Sequence, residues 1–251
     1  MMRLMLAEVF KLRTTRLYSG MLAAAVGLVV VVTGFQLAAG DGSSWSIEGA
    51  ASVIATPEDL RSILNVAGLA GLFTLVLGAT AVANEHRHRT IVGTFLITPA
   101  RSKVILAKVI AYTIAGAVFG IVVEAAVLAE VSVWLTATGA SIPFGNSVAA
   151  ALIAGPVITG LAAGTGVGVS AVVPNQLGAV LVVVGWAMVV EQLVSGLLPS
   201  LAPWLPLSGV GTAIAGDNPD VGELAGVVLG FGYMILFAGV GMQATRSRDV
   251  A

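Results

Sequence analysis

The sequence predicts an all-α membrane protein: six transmembrane helices, preceded by an amphipathic interfacial helix. The first observation behind this is composition. Of 251 residues, 57% are hydrophobic and only 10% charged, and the mean hydropathy is +1.00. Soluble domains carry about 25% charged residues. The second is run length: the apolar residues gather in stretches long enough to cross about 30 Å of hydrocarbon, which takes about 20 helical residues. The third is the placement of the bases. Arg3, Lys11, Arg13 and Arg16 precede the first run, and Arg87, Arg89, Arg101, Lys103 and Lys108 lie between the second and third. Arg246 and Arg248 follow the last run, and Arg61 alone is left over. The acids Asp41, Glu48, Glu58, Asp59, Asp217, Asp220 and Glu223 fall in the alternate connections. Cytoplasmic segments beside spans retain Lys and Arg, so the pattern predicts an even number of spans and both termini in the cytoplasm.

The elements follow in order. Over residues 2–13, Met2, Met5, Leu6, Val9, Phe10 and Leu12 share one helical face and Arg3, Glu8 and Lys11 the other, the pattern of a helix lying in the headgroup plane. The long basic region and the span-length run after it argue against a cleaved signal. Arg13 and Arg16 anchor a first span over 17–39. Residues 40–61 are polar and external; within them Thr56-Pro57-Glu58-Asp59 is a helix start, with Thr as N-cap, Pro in the first turn and acids beside it. The second span covers 62–83, a cytoplasmic stretch 84–103, and the third span 104–136, which is longer than the bilayer requires. The fourth covers 147–172 and the fifth 177–198, joined by the tight turn Val173-Pro174-Asn175-Gln176. Residues 199–221 hold Pro199, Pro203, Trp204, Pro206 and Pro219 among apolar neighbours. That is too apolar for a plain loop and too broken for a span, so it is expected to be re-entrant or interfacial on the outer side. The sixth span covers 222–243.

Several chemistries are excluded. There is no cysteine, hence no disulfide or thiol chemistry. No basic patch with interleaved aromatics points to nucleic acid. No Gly-x-x-x-x-Gly-Lys-Ser/Thr occurs, so any ATP hydrolysis must come from a partner. His86 and His88 do not share a helical face and lack further ligands. Ser170 has no intramembrane histidine to activate it. Gly160, Gly164 and Gly168 recur at four-residue spacing in the fourth span, the small-residue pattern of close helix packing. Three acids interrupt spans: Glu124 near the midplane, and Glu130 and Glu191 in the outer third. A charge at mid-bilayer costs about 2.5–3.5 kcal/mol on insertion scales. These three are therefore candidates for a substrate or proton path; the plainer alternative is a protonated or hydrogen-bonded carboxyl that helps helices pack.

The cytoplasmic stretch reads Glu85, then Thr90-Ile91, Pro99, Arg101 and Ala107-Lys108, and the N-terminus reads Glu8-Val-Phe-Lys11-Leu-Arg13. On these residues the chain resembles the ABC-2 family of transporter permeases (type V exporters), especially the short ones of actinobacteria. Arg89 stands where the family usually has Gly. The resemblance implies one permease domain over 1–251, with an elbow helix over 1–16, a coupling loop over 84–103 and an outer re-entrant segment over 199–221. It implies a subunit without catalysis of its own, in a bacterial cell membrane. Two cytoplasmic ATPase subunits carrying ATP and Mg would dock on the coupling loop, beside a second copy or a homologous permease. The residues it assigns to coupling are Glu85, Arg87, Arg89, Thr90, Pro99, Arg101, Lys103 and Lys108. The apolar lining favours a hydrophobic or amphipathic substrate. Two other readings remain open. One is a gradient-driven transporter using Glu124 and Glu191, although most such proteins have repeated halves and no repeat is visible. The other is a membrane enzyme acting on lipid, for which no catalytic constellation is visible.

Overall fold

In the computed structural model, residues 1–39, 54–87 and 100–247 are described, without the side chain of His86. All secondary structure among them is helical. Helix α1 (Met2–Thr14) precedes α2 (Arg16–Ala39), α3 (Pro57–Glu85), α4 (Arg101–Thr138), α5 (Asn146–Val172) and α6 (Gln176–Leu197). A short α7 (Ser208–Ile214) and then α8 (Glu223–Ser247) complete the chain. The six helices α2–α6 and α8 are long and apolar enough to cross a membrane.

The boundaries have local causes. Thr56 Oγ1 accepts from the Asp59 N–H, and Asp59 Oδ2 accepts from the Thr56 N–H at 2.8 Å, a reciprocal cap. The capped turn runs directly into the second span, which therefore begins at Pro57 rather than at 62. Helix α3 tightens to 3-10 geometry over Asn65–Leu69. Helix α4 has 38 residues, about 57 Å at 1.5 Å per residue, and overshoots a bilayer core. It stops at Gly139, whose φ of 72° is left-handed, while the Ala140 N–H reaches back to the Leu135 carbonyl at 3.0 Å.

Helix α5 is the centre of the bundle and packs against α4, α3 and α8. Its small residues set the distances. A Cβ on Gly166 would fall onto the Leu75 carbonyl oxygen of α3, and one on Gly78 of α3 onto the Ala163 carbonyl oxygen of α5. Gly160 faces Thr113 and Ala117 of α4, Gly164 faces Thr113 and Met234, and Gly168 faces the backbone at Phe237 of α8. Lipid supplies no hydrophobic force between helices, so such backbone approach must supply the attraction.

The connections gather at two ends. At the basic end, Arg87 Nη1 donates to Gln176 Oε1 (2.7 Å), Arg101 Nη1 to the Thr245 carbonyl (3.2 Å) and Arg246 Nη2 to Ser102 Oγ (3.1 Å). At the opposite, acidic end, Arg61 Nη2 donates to Glu223 Oε1 (2.8 Å) and Asn65 Nδ2 to Asp217 Oδ2 (2.9 Å). The described residues of the basic and acidic connections thus lie at different ends of the bundle.

The seam between α3 and α5 makes a direct prediction. Gly78→Leu or Gly166→Leu drives a side chain into backbone and should cost about 3 kcal/mol or more. Gly20→Leu or Gly232→Leu, with nothing within 4 Å of the new Cβ, should leave the melting temperature in detergent unchanged.

Candidate functional site

Four charged side chains from three helices meet at the basic end. Helix α1 supplies Glu8 and Lys11, the end of α3 supplies Glu85, and α4 supplies Lys108. Lys108 Nζ lies 2.7 Å from Glu8 Oε2 and 2.7 Å from Glu85 Oε1. Lys11 Nζ lies 2.7 Å from Glu8 Oε1 and 2.6 Å from Glu85 Oε1. The Lys108 side chain is 1% exposed and that of Lys11 is 47% exposed. The set is neutral, which is what permits its burial: a lone buried charge is very costly, and a paired one is tolerated when its hydrogen bonds are met. Partial burial acts to lower the Lys11 ammonium, but Glu8 and Glu85 prevail and hold it above its ordinary value.

Local structure aims these groups. Helix α3 breaks at Ala81–Val82, and the N–H groups of Val82 and Ala83 both donate to Ser170 Oγ of α5, each at 3.0 Å. Ser170 therefore caps, from another helix, the final turn that carries Glu85. On α1 the expected arrangement is partly reversed. Glu8, from the polar face, is buried at 5% exposure, while Met2, Leu6 and Phe10 are exposed. The ion pairs draw the polar face onto the bundle, and the apolar stripe at four-residue spacing points away. Leu12 joins the core beside Leu77, Val104 and Ile105.

Of the residues assigned to coupling, Glu85 and Lys108 are in this cluster, Arg87 is exposed and bonded to Gln176, and Arg101 ties the start of α4 to the end of α8. Lys103 is exposed. Arg89, Thr90 and Pro99 lie outside the described residues. Glu8 and Lys11 were legible as an opening motif but not as partners of the loop between α3 and α4.

The three intramembrane acids have different surroundings. Glu124 is 3% exposed, lies against Gly155 of α5, and its Oε2 has no hydrogen-bond partner among the described residues. Glu130 is half-buried beside Gly34 of α2. Glu191 is fully buried and engaged: Oε1 accepts from Trp186 Nε1 (2.9 Å) and the Leu207 N–H (3.0 Å), and Oε2 from the Ser208 N–H (2.7 Å). Its carboxylate caps α7. At the other end of α7 the Ala215 carbonyl accepts from Arg61 Nε (3.1 Å) and Nη2 (2.5 Å) and from Asn65 Nδ2 (3.3 Å). Arg61, the base left over in the charge pattern, thus has a structural duty. A five-residue π-helical turn over Trp186–Val190 precedes Glu191.

Beside α7 a cavity of about 810 Å³ opens between α2, α3, α5 and α6. Leu28, Val32, Leu72, Phe73, Ile158 and Met188 are among its apolar walls, and Gln36, Asn65, Gln192 and Asp217 among its polar ones.

Fold and geometry together define a multi-pass helical membrane protein with a charged junction at one end and an apolar cavity toward the other. Compared with known proteins, the chain matches no family model and no curated protein.

The junction yields two predictions. Lys108→Met leaves two largely buried carboxylates sharing only the half-exposed Lys11 and should cost about 3–5 kcal/mol; adding Glu8→Gln and Glu85→Gln should recover most of the loss, read as melting temperature in detergent. Lys11, with its raised pKa, contributes fully below about pH 10.4 and loses that contribution as pH climbs through the raised value. Protease access to α1 should therefore rise at strongly alkaline pH and be unchanged in Lys11→Met.

Proposed function

We propose that the chain is the permease subunit of an ATP-driven ABC exporter of the ABC-2 type, moving a hydrophobic or amphipathic substrate. The observation that carries this reading is the Glu8–Lys11–Glu85–Lys108 junction. It binds the N-terminal helix to Glu85 at the end of α3 and to Lys108 inside α4, the two helices that flank residues 88–100, so a push on that connection is delivered to three helices as a unit. In this reading the basic end is cytoplasmic, two ATPase subunits holding ATP and Mg dock there, and a second copy or homologous permease completes the path. The Pro199–Trp204 turn and α7 are the outer re-entrant segment, whose backbone is satisfied by Glu191, Arg61 and Asn65.

One observation favours a gradient-driven transporter instead: the buried Glu124 carboxyl with its unpartnered Oε2. Glu191, spent on capping, lends that alternative less. Purification from the native membrane separates the two. The permease reading expects a separate ATP-binding protein to copurify, with ATP hydrolysis sensitive to vanadate in the joint complex. Lys103→Glu and Arg87→Glu, both exposed, should lower substrate-stimulated hydrolysis by about fivefold or more with assembly intact. Transport that needs no ATPase and stops in Glu124→Gln would favour the gradient.

A further inference from the structure

The cavity beside α7 is unusual in its charge. Its volume of about 810 Å³ lies within the range of small-molecule sites, about 300–1,000 Å³. Among the described residues, the charged ones in its wall are Glu191 and Asp217, both acids, and no Lys or Arg lines it. Asp217 is exposed at the mouth, while Glu191 stands behind the wall, fixed by its hydrogen bonds. The base nearest by, Arg61, is already committed to the Ala215 carbonyl and to Glu223. The described residues of the connections at this end add to this sign, with Glu58, Asp59, Asp217, Asp220 and Glu223 against Arg61. Apolar walls lower the local dielectric and strengthen the field of such a site. Ser208 Oγ, buried in the same wall, has no hydrogen-bond partner among the described residues.

We propose that this cavity binds a hydrophobic organic cation, its apolar body among α2, α3, α5 and α6 and its charge toward Asp217. As a substrate class this rests on the permease reading; as a binding site it does not, since no ATPase takes part. A neutral lipid tail would fill the volume without using the charge, and a hydrophobic anion would be repelled.

Tetraphenylphosphonium and tetraphenylborate test this, being alike in shape and opposite in charge. Binding of each is measured by equilibrium dialysis to the full chain in zwitterionic nanodiscs, with empty nanodiscs subtracted. The phosphonium should bind saturably and at least about tenfold more tightly than the borate, and Asp217→Asn should weaken it about tenfold, or about 1.4 kcal/mol. Gly211 lines the cavity and nothing lies within 4 Å of a Cβ built there, so Gly211→Leu should abolish saturable binding without moving the melting temperature. Non-saturable uptake, equal or tighter binding of the borate, or full binding in Gly211→Leu would overturn the proposal. So would a chain that runs as a dimer and binds neither ion, because a second copy then fills the space. These results bear on the site alone. A missing ATPase partner, by contrast, removes the exporter reading and leaves the binding measurement standing.

Discussion

The ammonium of Lys108 is the group on which the basic end depends. It has almost no contact with solvent, so the partners it has in place of water are Glu8 and Glu85. That pairing fixes three backbones at once. Helix α1 is held to the bundle by its polar face, α3 must end where Ser170 can cap its last turn, and α4 must present Lys108 between them. Leu12, Leu77, Val104 and Ile105 pack beside the junction, but a neutral ion cluster is directional where hydrophobic packing is not.

The acidic end solves a related problem with single hydrogen bonds. Helix α7 has seven residues, too few to be stable alone. A carboxylate stands at its N-terminus and a guanidinium at its C-terminus, matching the helix dipole at both ends. Asn218 adds bonds from its Nδ2 to the Pro203 carbonyl (3.1 Å) and the Gly209 carbonyl (3.2 Å), and the Tyr233 hydroxyl donates to the Trp204 carbonyl (2.8 Å). A segment rich in proline, which cannot satisfy its own backbone, is thereby satisfied by α3, α6 and α8.

What sequence could reveal follows from where the information is local. Span positions, the Thr56 cap and the alternation of charged connections depend on residues close together in the chain, and the described structure agrees with them apart from a few residues at helix ends. Glu85 and Lys108 were singled out individually. Their union with Glu8 was not visible, because it joins residues 100 apart (Glu8 to Lys108) and because an amphipathic pattern does not say which face meets protein. In the sequence Ser170 is a hydroxyl with no histidine to activate it; that it caps another helix cannot be read from its neighbours. Arg61 looked like an exception to the charge pattern for the same reason: its partners, Ala215 and Glu223, lie far along the chain.

The wide turn in α6 has a consequence for how relatives of this chain would be compared. The Glu191 N–H bonds to the Trp186 carbonyl, five residues back, so one residue more than an α-helix needs is inserted there. Each residue of an α-helix advances the face by about 100°, so the halves of α6 are out of phase. The first half sets Ala179 and Val183 against α3, and the second turns Glu191 toward α7. Removing that one residue would keep the hydropathy of the span intact while rotating the acid away from the amides it caps. A gap inside a membrane helix, ordinarily taken as an alignment error, would here be the mark of a chain built without that cap.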